Sequence, residues 1–427
     1  MNGGLFFMKN ILKKTLLCAL CIANMSIYVA CGASNDTSDG MSVDYASYEK
    51  SDGEYDDIAD EEGEAIENEY SNGALGDSLY DSDDVFILTA GEWNDNQNWG
   101  FFTNLLSTGL VQFPKYTLAA TNRVKVTVKD SSNNAVVNAN VKALDTNGNT
   151  LWSSVSDKDG VAYLFLEDRD CTSIDRVEVS YNGEVQQYSL TLPPKQDSSN
   201  VGQSGLNTID TQVDYVFDTP TERYANTQVM FILDTTGSMG DEMFYLQREF
   251  SGIAKTIGTD NVQYSVNFYR DKGDEYVTKC NDFTNDIQTV QQQLNSEDAD
   301  GGGDEPEAVA EILKQTITTN GQWDSKAVKV AFLIFDAPPH EETKEVLDEA
   351  IKVASANGIK IVPVVSSNTN RETEVFARSL SIYTNGTYIF LTDDSGVGGE
   401  HLEPIIGDYT VEKLKDIIIR VVKQYQQ

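Results

Sequence analysis

The sequence predicts a multidomain chain: a β-sandwich followed by a doubly wound, Rossmann-like α/β domain. Three observations carry this. Over residues 116–193, short apolar runs with a period of two alternate with turn signals. From residue 214 onward, strand-like runs alternate with helical ones. Between them, residues 194–213 are rich in Ser, Asn, Gln and Gly and read as a linker. A period of two marks half-buried strands, whereas strand–helix alternation marks a mostly parallel sheet covered by helices. The 427 residues allow two or three domains of roughly 150 residues each. A hydrophobic content of 40% is ordinary for globular cores.

The 31 basic and 68 acidic residues leave a formal net charge of −37. A field of that sign repels phosphate backbones, which argues against nucleic acid as a partner. At the N-terminus, Lys9, Lys13 and Lys14 precede Thr15–Ala30, a mostly apolar run with small residues. It is shorter than the about 20 residues a membrane span needs and has the form of a secretory signal. The apolar stretch Met1–Phe7 ahead of the lysines points to initiation at Met8. The run ends Tyr28-Val29-Ala30-Cys31-Gly32, which resembles a bacterial lipobox, with Tyr28 where leucine is usual. That resemblance implies lipidation of Cys31, a signal over residues 1–31, and an extracytoplasmic protein anchored to the bacterial envelope through lipid. Cys18 and Cys21 would leave with the signal, so Cys171 and Cys280 remain. They are read as two separate buried thiols, although an oxidising compartment would permit a bridge.

Residues 32–84 are dense in acid and poor in apolar side chains, with Lys50 as their one base. Such a segment buries too little surface to offset its ordering entropy and reads as a disordered tether. Residues 85–115 form an aromatic connecting segment containing Trp93, Trp99, Phe101 and Phe102. Stacking on a sugar is one use of such a cluster; packing on a neighbouring domain is the commoner one. The sandwich elements follow as Val124–Val128, Val136–Leu144, Val161–Leu166, Val177–Tyr181 and Gln187–Leu192. Asn133-Asn134, Asn147-Gly148, Asp159-Gly160 and Asn182-Gly183 are the turns. Asp157-Lys158-Asp159-Gly160 is not a calcium loop: with Gly160 at position six, positions one and twelve are Val155 and Leu166. It is expected to be a hairpin turn. Val136–Val141 and Asp157–Ala162 resemble the carboxypeptidase regulatory-like or Ig-like modules of secreted bacterial proteins, where the module is a spacer or binding accessory.

In residues 214–427 the expected strands are Gln228–Leu233, Tyr264–Phe268, Val328–Phe335, Ile359–Val365 and Tyr388–Leu391, and a helix over Val411–Tyr425 closes the chain. Ligands of such sheets sit at the carboxyl ends of the strands. Three motifs fall there: Asp234-Thr235-Thr236-Gly237-Ser238, Asp300-Gly301-Gly302-Gly303-Asp304-Glu305-Pro306-Glu307, and Asp336-Ala337-Pro338-Pro339-His340. Pro306 suits a first helical turn. Alone, the first motif would read as a helix cap; with the other two it reads as a site. Asp234-x-Thr236-x-Ser238 resembles the signature of the von Willebrand factor A fold, whose metal-ion-dependent adhesion site is built from three loops. Tyr269-Arg270-Asp271 and Trp323 are similar to the branch related to alpha-kinase A domains. The resemblance implies Thr236 and Ser238 as direct ligands and Asp234 and Asp336 as direct or water-mediated ligands; the middle loop departs from the family pattern, which offers threonine, and its nearest oxygen donor here is Asp304. Hard oxygen donors suit Mg²⁺, with Mn²⁺ or Ca²⁺ as alternatives.

The expected function is a cell-surface lipoprotein that binds a protein or glycan through the divalent cation. An envelope scaffold with a structural metal is the alternative. A carboxylate–metal hydrolase ranks lower, because the chain has two histidines and no G-x-S-x-G elbow, Walker loop or H-E-x-x-H motif. His340 is expected to be structural, and the protein is expected not to be an enzyme.

Overall fold

The computed structural model describes residues 87–118, 122–166, 174–190, 210–218, 223–303, 305–319, 322–396 and 399–426. The leader with Cys31, the acidic segment 32–84, Cys171 and Asp304 lie outside them. Residues 79–427 form one compact unit. Among the described residues no helix is long and apolar enough to cross a membrane.

The chain enters through strand β1 (Thr89–Trp93) and helix α1 (Trp99–Thr108), which closes on Gly109 in the left-handed conformation. Seven strands follow: β2 (Asn122–Asp130), β3 (Asn140–Leu144), β4 (Thr150–Val155), β5 (Val161–Leu166), β6 (Arg176–Tyr181), β7 (Glu184–Ser189) and β8 (Asp210–Phe217). They make a three-stranded sheet, β5-β2-β8, and a four-stranded sheet, β4-β3-β6-β7. Val124, Val126 and Val128 of one sheet share a core with Val141, Val177 and Val179 of the other. The Tyr215 hydroxyl bridges the two by donating to Val177 O at 3.0 Å.

Within the small sheets, two features differ from the sequence expectation. Residues 210–217, read as the end of a linker and the start of the α/β domain, pair in parallel with β2 and belong to the small sheets. The turn at Asp157–Gly160 joins strands of different sheets and is not a hairpin. Gly160 holds a φ of +73°, and a Cβ there would meet Val128 O at 2.3 Å, so only glycine fits this crossing.

The rest of the chain is β9 (Asn226–Asp234), α2 (Gly240–Ile257), β10 (Val262–Tyr269), β11 (Thr278–Lys279), α3 (Ile287–Asn295), α4 (Val309–Leu313), β12 (Ala327–Phe335), α5 (Lys344–Asn357), β13 (Ile359–Val365), α6 (Arg371–Thr384), β14 (Tyr388–Thr392), β15 (Glu412–Lys413) and α7 (Leu414–Gln426). One eight-stranded sheet runs β11-β10-β9-β12-β13-β14-β1-β15. Its centre, β10 to β14, is parallel, which explains why these strands read as almost unbroken apolar runs. Helices α2, α3 and α7 bury one face of the sheet; α4, α5, α6 and the small sheets bury the other. Along the parallel strands the spatial order is second, first, third, fourth, fifth, so the winding reverses between β9 and β12.

The aromatic segment is more than a connector. Its strand β1 lies between β14 and β15 and pairs antiparallel with both, Thr89 opposite Thr392 and Trp93 opposite Tyr388. Leu88 and Ala90 pack under α7, whereas Trp99 and Phe102 pack on the side of the small sheets. Cys280 is free and exposed rather than buried, because it follows the short edge strand β11.

Candidate metal centre

In an open α/β sheet the loops leaving two adjacent strands part where the winding reverses, and the crevice between them is the natural binding place. Here that crevice lies between β9, which ends in Asp234, and β12, which ends one residue before Asp336. The sheet topology thus sets the two carboxylates side by side.

The first loop is ordered by its own hydrogen bonds. Asp234 Oδ1 accepts from Thr236 N at 2.9 Å and from Thr236 Oγ1 at 2.7 Å, and the Thr236 and Ser238 hydroxyls stand 3.4 Å apart. A short helical turn, Gly237–Met239, then leads into α2. The glycine-rich loop packs against this one. Gly237 N donates to Gly301 O at 3.1 Å, and Asp300 N donates to Thr235 O at 3.0 Å. Gly302 has a φ of +71°, and a Cβ there would stand 3.0 Å from Thr236 Cβ, so glycine allows the close approach. Buried Arg270 clamps the pair, donating to Thr235 O and Asp298 O. The third loop is tied to the second where Glu307 N donates to Pro338 O at 2.9 Å. Pro306 follows a cis peptide and lies ahead of α4, not in its first turn.

Of the expected ligands, the structure brings together Asp234, Thr236, Ser238 and Asp336; Asp304 lies outside the described residues. Asp234, Thr236 and Asp336 are buried, and Ser238 is exposed at the mouth. Two acids that the sequence reading left out of the ligand set join them. Glu307 is buried behind Gly302. Glu242, in the first turn of α2, is buried and accepts from Ser367 Oγ at 2.8 Å. An acid at a helix start is ordinary dipole chemistry, so the sequence alone did not mark Glu242. Glu307 was quoted in its motif but had no assigned role. His340, expected to be structural, pairs with Asp271 at 2.6 Å beside the third loop.

Electrostatically this is a buried cluster of carboxyls, and among the described residues no cation pairs with Asp234, Asp336 or Glu307. Burial, then the charge of Asp336, pushes Asp234 up to about 7. Burial pushes Asp336 up to about 6, with the Ser238 hydroxyl working against it. Burial, then Asp234 and its acidic neighbours, pushes Glu307 up to about 9. Asp234 Oδ2, Asp336 Oδ1, Glu242 Oε2 and Glu307 Oε2 are all buried without a hydrogen-bond partner. Buried polar atoms are seldom left so, and a divalent cation is the group that satisfies several such oxygens at once. Among the described residues no three His, Cys, Asp or Glu side chains form a ready-made cage. The donor set is a mixed one, with two carboxylates at the crevice and two hydroxyls. Its oxygens fit a hard cation, which would supply the missing positive charge.

The von Willebrand factor A domain family model matches residues 228–399. A putative ariadne-like RING finger protein, R811, of Acanthamoeba polyphaga mimivirus is 23% identical over 220 residues, covering 46% of this chain. The chain spans only 21% of that relative's length. Domains of the matched family commonly bind a divalent metal and serve in general as metal-dependent adhesion or interaction modules. The match includes both carboxylates of the crevice and the parallel strands that place them, which supports a von Willebrand factor A domain over residues 228–399.

Proposed function

We propose that this chain is a bacterial cell-surface binding protein, lipidated at Cys31, that engages a protein or glycan through a divalent cation. Asp234, Thr236, Ser238 and Asp336 hold the ion, with Asp304 as a further donor and Mg²⁺ as the ion. In this reading residues 32–84 act as a tether and the two small sheets are a sandwich-type spacer. The observation that carries the reading is the set of buried, unpartnered carboxylate oxygens beside two hydroxyls at the point where the winding reverses. The role in this reading is non-catalytic.

Thermal unfolding of the full chain with Mg²⁺, Mn²⁺, Ca²⁺ or chelator, beside Asp234→Ala, tests the metal. A site holding the ion in the folded state alone adds about 2.7 kcal/mol at a free ion concentration of about one hundred times Kd. The expected result is a rise in melting temperature that the variant lacks. No response to any of the three ions would remove the metal and with it the adhesion reading.

One observation favours a structural role for the ion. Glu242 adds negative charge beside Asp336, leaving less residual positive charge to capture an acidic group of a partner. Capture of envelope proteins or glycans only when the ion is present would separate adhesion from scaffold.

A further inference from the structure

At the other end of the sheet from the metal loops, the charge balance of the molecule is reversed. Lys329 is the third residue of β12 and Lys360 the second of β13, so both lie at the amino ends of central strands. Register pairs Lys329 with Ile359 and Val330 with Lys360, which sends the two side chains to opposite faces of the sheet at its edge. They are only 6% and 8% exposed. With Lys158, Lys326, Tyr224 and Tyr425 they line a cavity of about 340 Å³ at the seam with the small sheets.

These ammonium groups lack the partners that buried charges require. Lys329 Nζ donates to Ala327 O at 3.1 Å and lies 5.9 Å from the centre of the Tyr224 ring. Lys360 makes no hydrogen bond or ion pair among the described residues, and its nearest acid is Asp157. Asp157 faces the same cavity, but its oxygens are taken: Oδ1 accepts from Asp159 N and Val161 N, and Oδ2 from Asn385 Nδ2. Asp324, near Lys329, accepts from Lys326 N, and Lys158 pairs with Asp159 at the rim. Burial holds both lysines below the ordinary range, Lys329 at about 8. The cavity wall thus offers four lysines against one engaged carboxylate, in a chain of net charge −37. Its volume is near the lower end of ligand sites, which span about 300–1,000 Å³.

We propose that this seam cavity binds a small dianion of the carboxylate or phosphate class, with Lys329 and Lys360 as its charge partners and Tyr224 and Tyr425 flanking it. The site is distinct from the metal centre and independent of it. Titration calorimetry of the full chain, in chelator and at constant ionic strength, with inorganic phosphate, succinate or citrate would test it. Saturable binding of at least one of these probes is expected, and which one binds separates phosphate from carboxylate chemistry. Lys360→Met and Lys329→Met should each weaken it by about tenfold or more while raising the melting temperature without ligand, because a desolvated charge is gone. Lys360→Arg should keep most of the affinity. Heat that does not saturate with any probe, or binding unchanged in both methionine variants, would overturn the proposal.

Discussion

Asp234 shows what one buried acid costs and what restores it. Its carboxyl is raised to about 7, so the folded state prefers the protonated form. The stability this contributes is complete below about pH 4, the unfolded value, and is lost as pH rises through about 7. In chelator, Asp234→Asn is therefore expected to be more stable than the native chain at pH 8, by on the order of 2 kcal/mol, and to lose that advantage by pH 5. In excess Mg²⁺ the order at pH 8 should reverse. Melting curves at the two pH values, with and without ion, check both statements. Arg378 gives the complementary case of a buried charge fully partnered. Its guanidinium donates to both oxygens of Asp95 at 2.8 and 2.7 Å, to Glu374 at 3.1 Å and to Ile405 O at 2.9 Å, with no part of these side chains exposed. Asp95→Ala removes the bidentate partner and is expected to cost about 3–5 kcal/mol, read from the denaturant midpoint. The residues of the candidate crevice could be picked out because Asp-x-Thr-x-Ser at a strand end is a local pattern. The Asp95–Arg378 pair was not, since the partners are 283 positions apart and neither belongs to a motif.

Strand β1 shows how an element can escape a local reading. Its five residues contain only Ala90 and Trp93 as apolar side chains, and nothing in them says which sheet they join. Pairing is decided by β14 and β15, far along the chain. The same holds for β8, whose parallel partner β2 lies before five other strands of the small sheets. The central parallel strands, by contrast, were found within a residue or two because burial on both faces leaves a continuous apolar run. These observations bear on where the α/β domain can be cut. A fragment of residues 214–427 lacks β1 and Asp95, the salt-bridge partner of Arg378, and exposes the edge of β14. It is expected to aggregate or unfold without a cooperative transition, whereas residues 87–427 unfold in a single step. Circular dichroism melts of the two fragments decide this.

On the scale of the whole molecule, the eight-stranded sheet separates two unlike charged regions. The acidic crevice lies at the carboxyl ends of the strands and the lysine-lined cavity at their amino ends. The small sheets are fastened along the flank of the helices: Trp152 Nε1 donates to Ser355 Oγ at 3.1 Å, and the Tyr383 hydroxyl donates to Leu118 O at 2.6 Å. Phe165 meets Tyr383 edge-on at 5.0 Å. This seam packs the small sheets directly on the helices of the α/β domain. The position of β1 adds a matter of timing. Thr89 hydrogen-bonds to Thr392, 303 positions later, so this part of the sheet cannot close until residue 392 has been made. Contacts so remote in sequence form slowly. Until β14 is made, β1 lacks this neighbour, and a chaperone that shields it over that interval would raise the yield of folded protein.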